Sequence, residues 1–195
     1  MNLSVVRLQV QRSPLKPGRA PRRWYDPTPL QQVDALEMSD DGAVGITADG
    51  ERIVDVHHRH HPQTRDPQGR GGISVMGTGD YRVLRERYGP HLVDGIAGES
   101  VLVDADPGLA GIALPDSIEV QGADETLVLQ DFRVADPCVE FTRFCLRLPA
   151  SAPVDARLKE TLKALGDGAR GYRAWVAGRG TVRVGDRLQV REPRV

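Results

Sequence analysis

Apolar residues in this chain come in short runs, punctuated throughout by glycine and proline. Val6, Leu8 and Val10 alternate with Arg7, Gln9 and Gln11, the period-two pattern of a strand with one buried face. Residues 17–29 are rich in proline and arginine and read as a loop. A meander follows, with strands predicted at 33–38, 43–47 and 52–56, separated by the turn Ser39-Asp40-Asp41-Gly42 and the hairpin dipeptide Asp49-Gly50. Residues 64–72 are polar and rich in arginine and glycine, as in a surface loop. Further strands are expected at 73–76, 101–105, 117–121, 126–134, 172–177, 181–184 and 187–190.

Helical spacing is confined to three places. Tyr81, Leu84 and Tyr88 share one face of a helix capped by Thr78 or Gly79 and stopped by Gly89. Phe141, Phe144 and Leu148 keep the same spacing after Cys138, and Leu158, Leu162 and Leu165 follow an opening at Ser151 and Pro153. Many short strands with few helices and no regular βαβ alternation predict a mostly β fold. The expected form is a strongly bent sheet or closed barrel of short antiparallel strands with two or three peripheral helices, as a single domain over residues 1–195.

Composition narrows the function classes. With 39% hydrophobic and 27% charged residues the chain reads as soluble and globular. Its 26 lysines and arginines balance 27 acidic residues, so it lacks the basic surplus of a nucleic-acid binder. The first residues show no signal peptide, and no apolar run is long enough to span a bilayer. Two cysteines without a secretory signal point to the reducing cytoplasm.

Three features carry candidate chemistry. Cys138 follows Pro137 and an apolar strand, so it is expected at a turn into a helix, where aligned N–H groups favour a reactive thiolate; a free cysteine there can also be plain core. Cys145 is expected in the core with Phe141 and Leu148, and seven residues between the cysteines is not zinc-ligand spacing. Four of the five histidines fall in His57-His58-Arg59-His60-His61. In an extended segment His58 and His60 would share one face and His57, Arg59 and His61 the other. Such a cluster could hold a metal, bind a phosphate or oxyanion with help from Arg65 and Arg70, or simply be a solvated loop. Gly69 to Gly72 is a weak glycine signal that lacks the strand–helix setting of a nucleotide-binding loop. Glu99 and Ser100 follow Gly95 and Gly98 on a loop entering a strand. Glu99 could accept from a cofactor amine, orient His58 or cap the loop. There is no G-x-S-x-G elbow.

Four segments, in order, line up with one family. Gly95-Ile-Ala-Gly98-Glu99-Ser100-Val101 resembles its G-x-x-G-E-N-[ILV] segment, and Asp136-Pro137-Cys138 its R-x-P-C segment. Gly171-Tyr-Arg-Ala-Trp-Val176 with Gly180-Thr-Val-Arg-Val-Gly185-Asp186 resembles its closing hairpin, and Val5-Val-Arg-Leu-Gln-Val10 its first strand. The family is the MOSC domain, named for the C-terminal domain of molybdenum cofactor sulfurase.

The resemblance implies a barrel-like β fold and a sulfur carrier or sulfurtransferase in which Cys138 bears the persulfide. The molybdenum cofactor would be ligand or acceptor, with His57, His58, Arg59, His60, His61, Arg70, Glu99 and Ser100 as cofactor-binding candidates. A separate cysteine desulfurase would supply the sulfur, since no pyridoxal phosphate site is evident in this chain. A molybdoenzyme or other metal–sulfur centre would receive it. Two alternatives remain: a molybdenum-dependent reductase of N-hydroxylated compounds, with Cys138 as the metal ligand, and a non-catalytic ligand-binding module. Ser100 stands where asparagine is usual, Asp136 where a basic residue is expected, and Asp55-Val-His-His-Arg stands loosely for a G-D-R-H-type segment. A carboxylate two residues before Cys138 disfavours a thiolate unless a cation such as His58, Arg59 or Arg143 intervenes.

Overall fold

The computed structural model describes residues 1–65, 67–68, 72–122 and 126–190. Its elements, in chain order, begin with β1 (Asn2–Gln11), β2 (Leu30–Val33), β3 (Ala35–Ser39), β4 (Gly42–Ile46), β5 (Arg52–Val54) and β6 (Ile73–Gly77). They continue with α1 (Thr78–Tyr88), β7 (Val101–Val103), β8 (Ser117–Gln121), β9 (Thr126–Val134), α2 (Val139–Cys145) and α3 (Ala156–Ala164). The last are β10 (Tyr172–Ala177), β11 (Arg179–Arg183) and β12 (Arg187–Gln189).

Seven strands close into a barrel in the order β12-β8-β9-β10-β6-β7-β1, with β1 pairing back onto β12, and β2 extends the sheet beyond β1. All of these pairs are antiparallel except β6–β7, the two strands joined through α1. A parallel pair needs such a crossover, and here it carries the long 89–100 connection along the outside of the barrel. A second sheet, β11-β3-β4-β5, is reached directly from β10 at Gly178. The barrel interior is filled by small and branched side chains, among them Leu3, Val5, Leu8, Val75, Val103, Leu129 and Val176. A separate apolar cluster lies under the helices and unites Met76, Tyr81, Leu84, Leu102, Phe141 and Cys145 with Leu15 and Tyr25 of the proline-rich loop.

Several local expectations are corrected. Val6 is 40% exposed, whereas Leu3, Val5, Leu8 and Val10 are buried. The cause is a bulge: the register of β1 against β7 shifts between Val5 and Arg7, and one extra residue inverts the alternation. Gln9 is buried too, because the other face of β1 is covered by the 95–100 loop. The predicted strand at 33–38 is interrupted at Asp34, whose N–H donates to the Ile46 carbonyl. Helix α1 starts one or two residues earlier than its predicted caps: Gly77 is the N-cap, and the Asp80 carboxylate reaches back to its N–H at 2.9 Å. Helix α3 is capped not by Ser151 or Pro153 but by Asp155, which accepts from the Leu158 N–H at 2.8 Å.

Candidate functional site

One cleft of about 290 Å³ collects residues from five separated stretches of chain: Leu15 and Lys16, Tyr25, His57, Glu99 and Cys138, with Arg65, Arg170 and Arg173 around it. Cys138 reaches it because β9 ends at Val134 and the chain crosses through Pro137 to the N-cap of α2, where Cys138 is extended (φ −128°, ψ 152°). The thiol is half-buried, as the expected strand-to-helix turn requires. Thr142 secures that turn, donating both its N–H (2.9 Å) and its hydroxyl (2.8 Å) to the Cys138 carbonyl.

Arg170 is in contact with the sulfur. Its guanidinium lies 4.4 Å above the Phe141 ring, its Nη2 donates to the Ala97 carbonyl at 3.1 Å, and its Nη1 donates to the Asp136 carbonyl at 3.3 Å and to Cys138 Sγ at 3.7 Å. A planar fork fixed by stacking and three acceptors is pre-organised to accompany negative charge on sulfur. Arg170 takes this position because the chain enters β10 through Gly171 at φ +76°. A Cβ there would stand 2.2 Å from the Val75 carbonyl oxygen, so only glycine lets the strand close against β6. Arg143, a candidate for that electrostatic role, instead donates to the Ala152 carbonyl at 2.6 Å. The Asp136 side chain is exposed at the cleft edge, and its carbonyl accepts from Arg170.

Glu99 forms the buried floor. Its loop is held by its own carbonyls: Gln9 donates to Gly95 and Glu99 at 2.7 Å each, Gln11 to Gly98 at 2.6 Å, and Tyr25 to Ile96 at 2.7 Å. The Tyr81 hydroxyl donates to Glu99 Oε2 at 2.7 Å and accepts from the Ala97 N–H at 2.9 Å. Among the described residues Oε1 is buried without a partner. Burial pushes the Glu99 carboxyl up to about 7, partly opposed by the Tyr81 bond. Thus Glu99 meets Tyr81 rather than His58. Ser100 sits behind the cleft wall, with its N–H donating to the Ser74 carbonyl (3.0 Å) and hydroxyl (3.1 Å).

The histidine segment divides. It is a succession of turns rather than an extended strand, so the alternation expected of it does not apply. His57 lines the cleft. Its N–H and its Nδ1 both meet Oδ1 of buried Asp55, at 2.8 and 2.9 Å, while Asp55 Oδ2 accepts from the Gln11 N–H at 2.7 Å. His58 faces the other way, into a depression on the second sheet beside Asp41, Arg52 and Arg179. Burial favours its neutral imidazole, against the pull of Asp41. Arg59 pairs with Asp41 at 2.9 Å and holds that carboxyl below its usual range. His60 is exposed, and the His61 Nδ1 accepts from the Gln63 N–H at 3.1 Å. Arg70 lies outside the described residues. Among the described residues no group of three or more histidine, cysteine or acidic side chains could hold a metal ion.

Three of the expected site residues, Cys138, Glu99 and His57, therefore share one cleft. Sequence reasoning missed Arg170 and Asp55. The first was signalled only by its place before Gly171, and the second by an Asp-x-His spacing that suits an Asx turn. Lys16, Arg65, Arg170 and Arg173 against Glu99 and Asp136 give the cleft a cationic balance suited to an anionic ligand.

No family model and no curated protein matches the chain. Likeness is found among solved structures. The YuaD protein of Bacillus subtilis is 15% identical, with a TM-score of 0.61 over 96% of this chain and 94% of that one. A protein described as hypothetical is 14% identical, with a TM-score of 0.56 over 97% of this chain and 68% of the other. YiiM from Geobacillus stearothermophilus is 15% identical, with a TM-score of 0.50 over 97% and 75%. At such identities the likeness is one of fold, and it fits the MOSC-like barrel that the motifs imply.

Proposed function

We propose that this chain is a sulfur carrier: Cys138 accepts sulfane sulfur from a donor persulfide and passes it to an anionic acceptor held in the cationic cleft. The observation that carries the reading is the half-buried Cys138 sulfur 3.7 Å from an Arg170 guanidinium fixed by Phe141, Ala97 and Asp136. A thiolate attacks the outer sulfur of a donor R–S–SH. The donor's S–S bond breaks as a new S–S bond to Cys138 forms, and R–S⁻ leaves. No external oxidant is needed, because the transferred sulfur keeps its oxidation level. The resulting persulfide anion is accompanied by the same guanidinium. The donor in this reading is a separate cysteine desulfurase, and the compartment is the cytoplasm.

The molybdenum cofactor suits these residues as acceptor. Lys16, Arg65 and Arg173 would hold its phosphate, and the unpartnered Glu99 Oε1 is placed to accept from its amine. Bound there, the cofactor would supply a soft metal centre that takes up sulfur.

The test is incubation with a cysteine desulfurase and cysteine, a persulfide-selective label, and peptide mass spectrometry. Label on Cys138 that disappears in Cys138→Ser is expected. Unlabelled wild-type protein, or equal label in the variant, overturns the reading. Molybdenum retained through Cys138 in protein from a cofactor-producing host would point instead to a reductase of N-hydroxylated compounds.

A further inference from the structure

Asp55 and His57 form a second chemical unit in the cleft, one that the thiol and its arginine do not use. Asp55 is buried, its side chain 2% exposed, just after β5 and against β1. Its partners are N–H groups: Gln11 at Oδ2, and the backbone and ring of His57 at Oδ1. A carboxylate with that surrounding is an acceptor, so His57 Nδ1 must carry a proton to meet it at 2.9 Å. The tautomer follows. In the neutral ring the lone pair is on Nε2, which has no partner among the described residues, and the side chain is 30% exposed on the cleft wall. An imidazole oriented by a buried carboxylate, its far nitrogen without a partner among the described residues, on the wall of a cleft that holds a thiol, is the arrangement of a proton carrier.

We infer that His57, oriented by Asp55, carries the proton of sulfur loading at Cys138. This rests on the carrier reading and assigns the group that completes its chemistry. Attack by Cys138–S⁻ on R–S–SH leaves R–S⁻ and Cys138–S–SH. His57 Nε2 takes the proton of the transferred sulfur as the S–S bonds exchange, and the imidazolium delivers it to the departing R–S⁻ within the same transition state, so the transfer bears on the loading rate. The sum is R–S–SH + Cys138–S⁻ → R–SH + Cys138–S–S⁻, with no net change at the imidazole. Arg170 accompanies the anion before and after, so the division of labour is charge to Arg170 and proton to His57. Asp55 is a positioning residue: it fixes the tautomer and touches no substrate.

The experiment compares wild type, His57→Gln, His60→Gln and Cys138→Ser, loaded with glutathione persulfide and followed by persulfide-selective labelling against time. Glutamine can hold a hydrogen bond at position 57 but cannot take up and release a proton near neutral pH. Loading slowed roughly 100-fold in His57→Gln is expected, the usual contribution of a placed acid–base group. Loading in His60→Gln, which lies outside the cleft, is expected to match wild type. Alkylation of Cys138 by iodoacetamide, which expels iodide and needs no proton donor, should stay within about 3-fold of wild type in His57→Gln. Equal loading rates for wild type and His57→Gln overturn the role of His57 and leave the carrier intact, whereas a wild type that never loads overturns the carrier itself. A parallel loss of alkylation overturns the proton role in favour of a distorted cleft. Imidazole ¹⁵N shifts give an independent reading: the Nδ1–H tautomer is expected for His57 and should weaken in Asp55→Asn, and an Nε2–H tautomer in the native protein overturns the dyad.

Discussion

The two cysteines of this chain stand at opposite ends of one short helix, and the protein treats them as different substances. Cys138 is the N-cap of α2, half-buried at the lip of a cationic cleft with an arginine at its sulfur. Cys145, two turns on, is 1% exposed among Phe141, Tyr81 and Leu84. Burial pushes its thiol up to about 12, opposed in part by the charge of Arg170. At pH 8 that leaves Cys145 almost wholly as the thiol, in a side chain that is itself buried. What separates the half-buried cysteine from the core one here is therefore not the helix they share. It is the end of β9 and the start of β10, which bring Pro137 and Arg170 to one side of it.

The largest expected effect sharpens this contrast directly. In the native protein iodoacetamide should modify Cys138 at least about 100-fold faster than Cys145, with the two rates converging only in denaturant. Peptide mapping of a timed alkylation reads both rates in one sample. Comparable native rates would mean that α2 opens far more readily than its packed lower face allows.

A second buried acid tests the same boundary from the other side of the cleft. Glu99 has a folded-state value of about 7 against an ordinary value of 4.5, so the folded protein binds its proton more tightly than the unfolded chain. The stabilisation is complete below about 4.5 and is lost as pH rises to about 7. Above that, the ionised carboxylate costs roughly 3 kcal/mol relative to the protonated one. Glu99→Gln removes this titration. Urea unfolding between pH 4.5 and 8 should show a stability gain for the variant that grows with pH and levels off above 7. A gain independent of pH would mean that Glu99 is not the titrating group.

Much of this architecture is legible in the chain, because strands with simple alternation and clear punctuation declare themselves. Residues 117–121, 126–134 and 172–177 are read from the sequence with the bounds that β8, β9 and β10 have. Where pattern reading fails, a local device has intervened. The bulge after Val5 turns Val6 outward and carries Gln9 and Gln11 to the face that grips the 95–100 loop. The histidines fail for a related reason: period-two reasoning assumes an extended chain, and turns place His57 in the cleft and His58 on the second sheet. Cys138 and Glu99 could be found because glycine and proline mark the turns that present them. Arg170 could not, since its partner lies 32 residues away and its role comes from the closure of β10 onto β6 and β9.

The smallest expected effect decides whether the carboxylate before the thiol matters. Sequence alone sets Asp136 against a thiolate at Cys138, two residues on. In the structure its side chain points to solvent, where water and salt screen a charge that is not in contact, and the backbone carbonyl is what Arg170 uses. Arg170, by contrast, is held against the sulfur over the Phe141 ring, partly shielded from water. Asp136→Asn should therefore change the alkylation rate of Cys138 by less than about 3-fold, while Arg170→Gln, which keeps a polar side chain and removes the charge, should lower it roughly 10-fold. Rates measured at two salt concentrations separate the causes, because a screened carboxylate yields to salt and a contact ion does so far less. If Asp136→Asn is the faster-reacting variant by 10-fold or more, the acid governs this thiol and Arg170 is only part of its packing.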